Sequence, residues 1–390
     1  MRILFLALDT DVGDRHGDGV HVIELGQSLA RLGHEVRLVS ATGAPSAPPG
    51  LQHFLRPDST FGQLAQARKI ASGWADVVYE RRISPKISFL TSAFCRIPFV
   101  VEANGVLDDE RRSQGVSRRI RNSATRIRTR GFMLRAAAHI VAVSEGVRDH
   151  LISCYGLAPE TISTVPNGAN VNLFQPRDPD EARARFGIPN SAKIVCFVGN
   201  LVPWQGVDSL LRACASLRGS IPTLKLLVVG DGPESNRLRS LADQLGLYDH
   251  VVFTGSVPYA DVSAFVCASD ICAAPFIAGR KASPIKVYEY LACARPVVAS
   301  DVDGIGECLR SWNAGVGVEP ENPEALARAI NGLLHDPAEA KAMGVRGRET
   351  VVLHRSWETT ARAVAGILER ASTTRPPHGA QRPKSTSARR

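Results

Sequence analysis

The stretch SPIKVYEYLACARPVVAS, residues 283–300, decides how the second half of the chain folds. Ser283 is a good N-cap and Pro284 suits the first helical position, so we expect a helix to begin here. Val287 and Leu291 lie four residues apart, on one apolar stripe of that helix. The Arg-Pro pair that follows ends the helix, and the Val-Val-Ala after it is typical of a short buried strand.

Lys286 is unusual in the first turn of this helix. The helix dipole disfavours a cation there by roughly 0.3–1 kcal/mol, and Lys before Glu289 is the poorer order for a helical ion pair. A cation is expected at a helix start where an anion also binds, because free backbone N–H groups and a lysine together form a phosphate site. Glu289, on the same face, would then accept hydrogen bonds from a ribose. The alternative is a surface Lys–Glu pair on an ordinary helix, and spacing alone leaves both open.

Strand patterns alternate with helical patterns along both halves of the chain. Residues 3–8 and 35–40 predict strands on either side of a helix at 20–32, which makes a βαβ unit and implies a parallel sheet. Further strands are predicted at residues 76–80, 98–103, 139–143, 192–198, 224–229, 250–254 and 270–275. The fold class is therefore α/β, with two doubly wound, Rossmann-like domains.

We place an interdomain hinge at residues 176–180. It separates a first domain at 1–178 from a second at 179–355, which is followed by a C-terminal helix at 356–371. Residues 372–390 are rich in Pro, Ser, Thr and Arg and predict a disordered basic tail.

Composition is typical of a globular protein, with 390 residues, 44% hydrophobic and 22% charged. The eight cysteines form no C-x-x-C pair, which favours core thiols in a reducing, cytoplasmic compartment. No segment approaches the roughly 20 apolar residues of a membrane span, and the apolar N-terminus is too short for a signal peptide. The net charge of +9 favours anionic partners.

Ligand-contacting residues are expected at the carboxyl ends of the strands. The loop at residues 9–19 carries Gly17 and Gly19, which let the backbone approach a ligand closely; a flexible loop without that role is the alternative. The strands of the first half end in the polar residues Glu80, Arg81, Glu102 and Asn104. A structural ion pair between Arg81 and Glu102 is the competing account.

A segment dense in arginine, residues 108–135, predicts a basic amphipathic helix. Its arginines are Arg111, Arg112, Arg118, Arg119, Arg121, Arg126, Arg128 and Arg130. Such a helix either lies on an anionic membrane through residues 111–130, binds an acceptor phosphate, or is a solvated face. Nucleic acid is disfavoured because no aromatic residues interleave the arginines.

Two Asp-x-Asp triplets, at residues 9–11 and 301–303, are candidates for a divalent metal. Both follow strands, where aspartate is common in turns, and positive side chains already serve the phosphate. No His or Cys spacing suits a metal, so no metal and no other cofactor is expected.

Seven motifs together resemble the retaining glycosyltransferases of family 4, which have the two-domain GT-B fold. They are the Gly-rich loop before VHVIEL (20–25), VAVSE (141–145), PNG (166–168), FVGNLVP (197–203), GVD (206–208), GDGPE (230–234) and residues 289–299. The resemblance covers nearly the whole chain up to residue 368.

This resemblance implies two domains facing across a cleft, the first binding the acceptor and the second the donor. The C-terminal helix would pack back towards the first domain. It implies a hexosyltransferase that moves a sugar from a nucleotide-sugar to an acceptor hydroxyl, with retention and without metal. A role in cell-surface polysaccharide, glycolipid or glycoconjugate synthesis follows, with a cytoplasmic enzyme that is peripheral on the inner face of the membrane. The base, the sugar and the acceptor stay open.

Site residues follow from the matched motifs. Glu289 matches the glutamate that holds the donor ribose, and the glycines match loops near the diphosphate and nucleotide: Gly17, Gly19, Gly230 and Gly232. Asn104 stands where many members have a histidine near the transferred sugar. Asn104, Lys286 and Glu289 are the expected catalytic residues. The expected acceptor or membrane side comprises Glu80, Arg81, Glu102, Arg118, Arg119 and Arg121.

Three positions depart from the family pattern. Asn200 and Gln205 replace the Arg and Lys that usually grip the diphosphate, and Lys281 replaces a glutamate. We hypothesise that Lys286, Lys281 and Arg280 resupply the positive charge, with Ser283, Pro284 and Ile285 beside the donor. The alternatives are a non-catalytic nucleotide-sugar-binding protein or a nucleotide-sugar epimerase of the same fold.

Overall fold

The computed structural model describes residues 1–13, 17–43, 50–105, 124–279, 281 and 283–373. Two parallel sheets flanked by helices form its framework. The first sheet has seven strands in the order β3-β2-β1-β4-β5-β6-β7. They are β1 Arg2–Ala7, β2 Glu35–Ser40, β3 Leu51–Leu55, β4 Val77–Arg81, β5 Phe99–Ala103, β6 His139–Ala142 and β7 Ile162–Thr164.

The second sheet has six strands in the order β10-β9-β8-β11-β12-β13. They are β8 Lys193–Val198, β9 Leu224–Val229, β10 Val251–Gly255, β11 Ile271–Ala274, β12 Val297–Ser300 and β13 Gly315–Val318. Central strands such as β1 and β12 are buried along almost their whole length, as expected for parallel strands covered on both faces. These sheets confirm the predicted α/β class with two Rossmann-like units.

Fourteen helices surround the sheets within the described ranges. They are α1 Gly17–Arg31, α2 Thr60–Ala71, α3 Lys86–Cys95, α4 Ala124–Arg135, α5 Glu145–Tyr155, α6 Pro179–Arg185, α7 Val207–Leu217, α8 Ser235–Gln244, α9 Tyr259–Ala268, α10 Ile285–Ala292, α11 Ile305–Ser311, α12 Pro323–His335, α13 Pro337–His354 and α14 Trp357–Thr373. Local chemistry sets their limits: Ser144 caps α5 by accepting from the Val147 N–H at 3.2 Å, and Gly156 ends it in the left-handed conformation. None of these helices is both long and apolar enough to span a bilayer.

The last helix, α14, packs on the first sheet although it follows the second in the chain. Its residues Trp357, Val364 and Leu368 are buried in one apolar cluster with Phe5 of β1 and Val22 of α1. The chain returns to the first unit just before α14, where a parallel β-bridge joins residue 356 to residue 169. This confirms the expected return of the C-terminal helix, and it ties the second half of the chain to the first.

Two helix starts differ from the predictions. Helix α1 begins at Gly17, so Gly17 and Gly19 lie in its first turn and not in the preceding loop. Helix α10 begins at Ile285 with Pro284 at the N-cap, because the Ser283 hydroxyl is used elsewhere. The strand Leu51–Leu55 and the helix Thr60–Ala71 were not predicted. The domain boundary at residue 178 stays a prediction.

Candidate active site

A cavity of about 280 Å³ lies between the two sheets and is lined from both halves of the chain. The first half contributes the start of α1 and the ends of β4 and β5. The second half contributes the loops after β8 and β9 and the start of α10. The predicted residues that line it are Gly17, Arg81, Asn104, Asn200, Gln205, Gly230, Ser283, Pro284, Ile285, Lys286 and Glu289. The cavity therefore occupies the carboxyl-end position expected of a ligand site in doubly wound folds.

The start of α10 is fixed by a contact between the two halves. The Asn167 backbone N–H donates to Ser283 Oγ at 3.0 Å, and its side-chain amide donates to the Ser283 carbonyl at 2.7 Å. Pro284 at the N-cap offers no side-chain acceptor to the first turn. These contacts hold the N-terminal end of α10 against the cavity, where the positive end of the helix dipole would favour an anion.

Lys286 reaches across the cavity floor. Its Nζ donates to Gln205 Oε1 at 2.7 Å and lies 4.1 Å from the centre of the Phe197 ring. No carboxylate pairs with Lys286 within 4.0 Å in the described part of the chain. Burial lowers the pKa of Lys286 to about 7, and the charge of Glu289 only partly opposes this. The surface Lys–Glu pair considered as an alternative is therefore wrong, and Lys286 is a cation held in a poorly solvated place.

Glu289 lies one helical turn further on and is buried. The Tyr259 hydroxyl donates to its Oε1 at 2.6 Å. Burial raises the pKa of Glu289 to about 7; the Tyr259 hydrogen bond and Lys286 lower it, while Glu24 raises it. A ligand hydroxyl that donates to this carboxylate would favour its charged form, so Glu289 is prepared to accept from a polyol such as ribose.

Two glycines let the second-half loops reach the cavity. Gly206 has φ +64°, and a Cβ there would overlap the carbonyl oxygen of Pro275. Gly230 has φ +129°, and a Cβ there would overlap the carbonyl oxygen of Gly199. The loop after β8 therefore approaches the loop after β9 at Gly230 and the chain after β11 at Gly206, at distances that only glycine permits.

A buried polar cluster supports the first-half side of the cavity. Glu102 lies at its centre, with His21 Nε2 2.8 Å from Oε1 and Arg81 Nε at 3.7 Å. The Asn104 amide and the Tyr79 hydroxyl also donate to this carboxylate. Burial alone would raise the pKa of Glu102, but His21, Arg81 and Tyr79 outweigh it and lower the pKa to about 2. Glu102 is therefore a fixed negative charge that orients His21, Asn104 and Arg81 towards the cavity.

Several predicted residues do not reach the cavity. Glu80 is 1% exposed and accepts from the Ser88 N–H at 2.9 Å, on the side of α3, so it does not line this cavity, and its expected place on the acceptor or membrane side stays a prediction. Glu102 does not line the cavity and contacts residues that do. The Arg81–Glu102 ion pair, which was the competing account, is present at 3.7 Å, and Arg81 also lines the cavity. Gly19, Gly232 and Lys281 are not among the lining residues. At Gly19 a Cβ would lie 2.5 Å from the Asp11 carbonyl oxygen, so backbone packing explains this glycine. Arg280, Arg118, Arg119 and Arg121 lie outside the described residues.

Sequence reasoning missed several lining residues, among them His21, Asn167, Trp204 and Tyr259. His21 had a usable signal, because a histidine interrupts the apolar run that follows the Gly-rich loop. Tyr259 had none, since it lies thirty residues before Glu289 and meets it only in the folded chain.

The two Asp-x-Asp triplets each have protein partners. Asp303 accepts from the Gly146 N–H at 3.0 Å, and Asp301 pairs with Arg310 at 2.9 Å. Asp9 pairs with Arg82 at 2.9 Å, and Asp11 accepts from the Gly13 N–H at 2.9 Å. Among the described side chains, no group of three or more His, Cys, Asp or Glu residues could hold a metal ion.

Family models match both halves of the chain. The model described as Glycosyltransferase Family 4 matches residues 16–173, and the model described as Glycosyl transferases group 1 matches residues 178–350. The chain belongs to glycosyltransferase family 4. Its two sheets and the cleft between them are accordingly those of the GT-B fold.

Individual relatives agree with this glycosyltransferase assignment. The chain is 28% identical over 366 residues to a D-inositol 3-phosphate glycosyltransferase of Catenulispora acidiphila, covering 85% of each chain. It is 32% identical over 237 residues to the GDP-mannose-dependent alpha-(1-6)-phosphatidylinositol monomannoside mannosyltransferase of Mycolicibacterium smegmatis, covering 59% of this chain and 61% of that one. Anabaena HepE in complex with UDP-glucose superposes with a TM-score of 0.79 at 21% identity, covering 95% of this chain and 100% of that chain.

Proposed function

We propose that this glycosyltransferase takes its sugar from a nucleotide-sugar bound in the 280 Å³ cavity and transfers it, with retained anomeric configuration, without a metal. The observation that carries the proposal is Lys286, a cation that lies at the start of α10 without a carboxylate partner among the described residues. The Anabaena neighbour forms a complex with UDP-glucose, and the Mycolicibacterium relative is named as GDP-mannose-dependent. Both ligands are nucleoside diphosphate sugars, although the two bases differ.

Lys286 would bind the diphosphate in place of the missing Arg and Lys. Gln205, which stands at the usual lysine position, accepts from Lys286 Nζ at 2.7 Å, so the charge from α10 reaches the place where the lost charge would lie. The N–H groups at the start of α10 add to it. One lysine and a helix terminus therefore replace the two-residue clamp, which supports an active donor site despite Asn200 and Gln205.

Glu289 would hold the ribose and thereby fix the nucleotide along α10. With both ends of the nucleotide fixed, the transferred sugar lies towards the first-half wall, where His21, Asn104 and Arg81 are held by Glu102. No buried carboxylate among the described lining residues faces that wall as an evident nucleophile. This favours a mechanism in which the leaving diphosphate itself takes the acceptor proton on the same face, so the protein positions the reactants and stabilises the leaving charge.

The biological setting is also a proposal. The names of both curated relatives contain an inositol that bears phosphate, one soluble and one lipid-linked. We infer a role in glycolipid, polysaccharide or glycoconjugate synthesis at the cytoplasmic face of a membrane. Arg126, Arg128 and Arg130 on α4 extend the basic segment 111–130, most of which lies outside the described residues, and would give peripheral contact with anionic lipid.

The direct test is transfer or hydrolysis of a labelled nucleotide-sugar, with Glu289→Ala as the control. Sugar release by the native protein that falls at least tenfold in Glu289→Ala supports the proposal, and an unchanged anomeric configuration in the product supports retention. Binding without any turnover would favour a non-catalytic nucleotide-sugar-binding protein. Conversion of the donor to its epimer would favour the epimerase alternative.

A further inference from the structure

A second cavity opens beside the first-half sheet, away from α10. Its volume is about 460 Å³, within the roughly 300–1,000 Å³ of small-molecule sites. It lies between the starts of α2 and α3 and one face of α4. The residues that line it are Thr60, Gln63, Arg82, Ser84, Lys86, Ile87, Thr125, Arg126, Thr129, Arg130 and Met133.

The charge of this second cavity is one-sided. Four of its lining residues are cations (Arg82, Lys86, Arg126 and Arg130), and no carboxylate is among the described residues that line it. Like charges gathered in one concavity repel each other and raise the local concentration of anions. Guanidinium groups match the geometry of phosphate oxygens, and the threonine and serine hydroxyls can donate to the same oxygens.

One of these cations is held in place by protein contacts. Arg130 donates through Nε to Ser84 Oγ at 2.8 Å and through Nη1 to the Tyr155 hydroxyl at 2.8 Å. Both partners are neutral, so these contacts orient the guanidinium without cancelling its charge. Arg82 is paired through Nε with Asp9 at 2.9 Å, on the rim. The cavity is therefore partly preorganised for an anion, which reduces the entropy lost on binding.

Consecutive residues at the end of β4 line the two cavities. Arg81 lines the first cavity and Arg82 the second, and consecutive Cα atoms are about 3.8 Å apart. The end of β4 therefore separates the two cavities. A ligand whose anionic group occupied the second cavity would have to extend past the end of β4 to present a hydroxyl at the first-half wall of the donor cavity.

We propose that the second cavity binds the phosphate group of a phosphorylated acceptor. The inference rests on the proposed glycosyltransferase function, and it names the chemical class of acceptor. The phosphate is either that of a soluble polyol phosphate or that of a lipid headgroup. Phe61 and Phe132, next in sequence to the lining residues Thr60 and Met133, are 81% and 61% exposed and would meet the acyl region of a lipid.

Binding to the full chain tests the proposal. The probes are inorganic phosphate and a soluble inositol monophosphate, by isothermal titration, and phosphatidylcholine vesicles with and without phosphatidylinositol, by co-sedimentation. The variants are Lys86→Ala and Arg82→Gln/Lys86→Ala. The control is Lys69→Ala, which removes an exposed positive charge from α2 outside the cavity.

We expect the double variant to weaken binding at least tenfold, the control to leave it within twofold, and added salt to weaken it in the native protein. Binding of the soluble inositol monophosphate would indicate a soluble acceptor. Binding only of the vesicles that contain phosphatidylinositol would indicate a lipid acceptor. Equal binding by native protein and double variant, or no binding of any probe, would overturn the proposal. Nucleotide binding measured on the same proteins separates this result from a failure of the donor site, which these variants leave intact.

Discussion

Replacing Lys286 with methionine removes one positive charge from the donor cavity and keeps an unbranched side chain. In the native protein Nζ donates to Gln205 Oε1 at 2.7 Å and lies against the Phe197 ring. A hydrogen bond from a charged group contributes about 1.5–3 kcal/mol. Since about 1.4 kcal/mol corresponds to tenfold in affinity, we expect Lys286→Met to weaken nucleoside diphosphate binding by roughly 10–100-fold at pH 7.

The pH dependence of binding gives a second signature. The pKa of Lys286 is about 7 before ligand binds, and a diphosphate binds its charged form. Between pH 7 and pH 9 the charged fraction falls from about one half to about one hundredth, so the native dissociation constant rises by up to roughly 50-fold. Glu289 and Cys196 are the ionisable groups that act on Lys286. Lys286→Met should therefore lose this rise of the dissociation constant with pH, whereas Glu289→Gln should keep it and shift it to lower pH, because the charge of Glu289 raises the pKa of Lys286.

The stability of Lys286→Met separates loss of binding from misfolding. The pKa of Lys286 is lowered from 10.5 to about 7 on folding, so the unfolded chain binds more protons between these values. The destabilisation is full below pH 7 and fades as the pH rises to 10.5. Methionine should therefore raise Tm, most strongly at or below pH 7. Isothermal titration at pH 7, 8 and 9, together with thermal unfolding, tests this role. A dissociation constant at pH 7 within twofold of the native value, in a folded variant, would refute it.

Three further substitutions test other parts of the site. Glu289→Gln should weaken nucleotide binding at least tenfold by titration calorimetry, and an unchanged affinity would exclude the ribose role. The substitution should also raise Tm, most strongly above pH 7. The pKa of Glu289 is raised from 4.5 to about 7 in the folded protein, so above pH 7 its buried charge destabilises the fold fully. Tyr259→Phe removes a 2.6 Å hydrogen bond to Glu289, so the pKa of Glu289 should rise further. Binding should therefore be a few-fold weaker than that of the native protein at pH 7 and equal to it at pH 9, and a difference from the native protein that persists at pH 9 would contradict this. Gly206→Ala should lower the free energy of unfolding by about 2–4 kcal/mol, measured in urea, because the new Cβ would overlap the Pro275 carbonyl. The control Gly187→Ala has the same φ of +64° but open space around it, and should lower the free energy of unfolding by only about 1 kcal/mol. Equal losses would mean that φ alone matters.

The fold was predictable because local patterns encode it. Apolar runs such as β1 and the alternation of strands with helices dictate parallel sheets, whatever the ligand. Lys286 could also be singled out from the sequence around it, because a cation in the first turn of α10 conflicts with the helix dipole. Its contacts could not be predicted in this way, because they join distant parts of the chain. Gln205 lies 81 residues from Lys286, and Ser283 lies 116 residues from Asn167.

Strand geometry explains why only some of the polar residues at strand ends line the donor cavity. Successive side chains of a strand point to opposite faces. Arg81 therefore faces the donor cavity, and Glu80 beside it faces α3 and the Ser88 N–H. The sequence places both residues at the right edge of the sheet, but the choice of face depends on which helix covers each side. Likewise, Ser283 is a good N-cap by composition, and only the folded chain shows that Asn167 claims its hydroxyl.

Nucleotide binding without metal tests the central claim most directly. Thermal unfolding would be measured with UDP, GDP, ADP and TDP, each in EDTA and in Mg²⁺. A ligand at one hundred times its dissociation constant adds about 2.7 kcal/mol to stability, which a Tm shift detects easily. The account predicts that at least one nucleotide raises the Tm of the native protein in EDTA and that, at the same ligand concentration, the gain in stability falls to about 0.4–1.4 kcal/mol in Lys286→Met. No rise with any nucleotide, or a rise only with Mg²⁺, would contradict it.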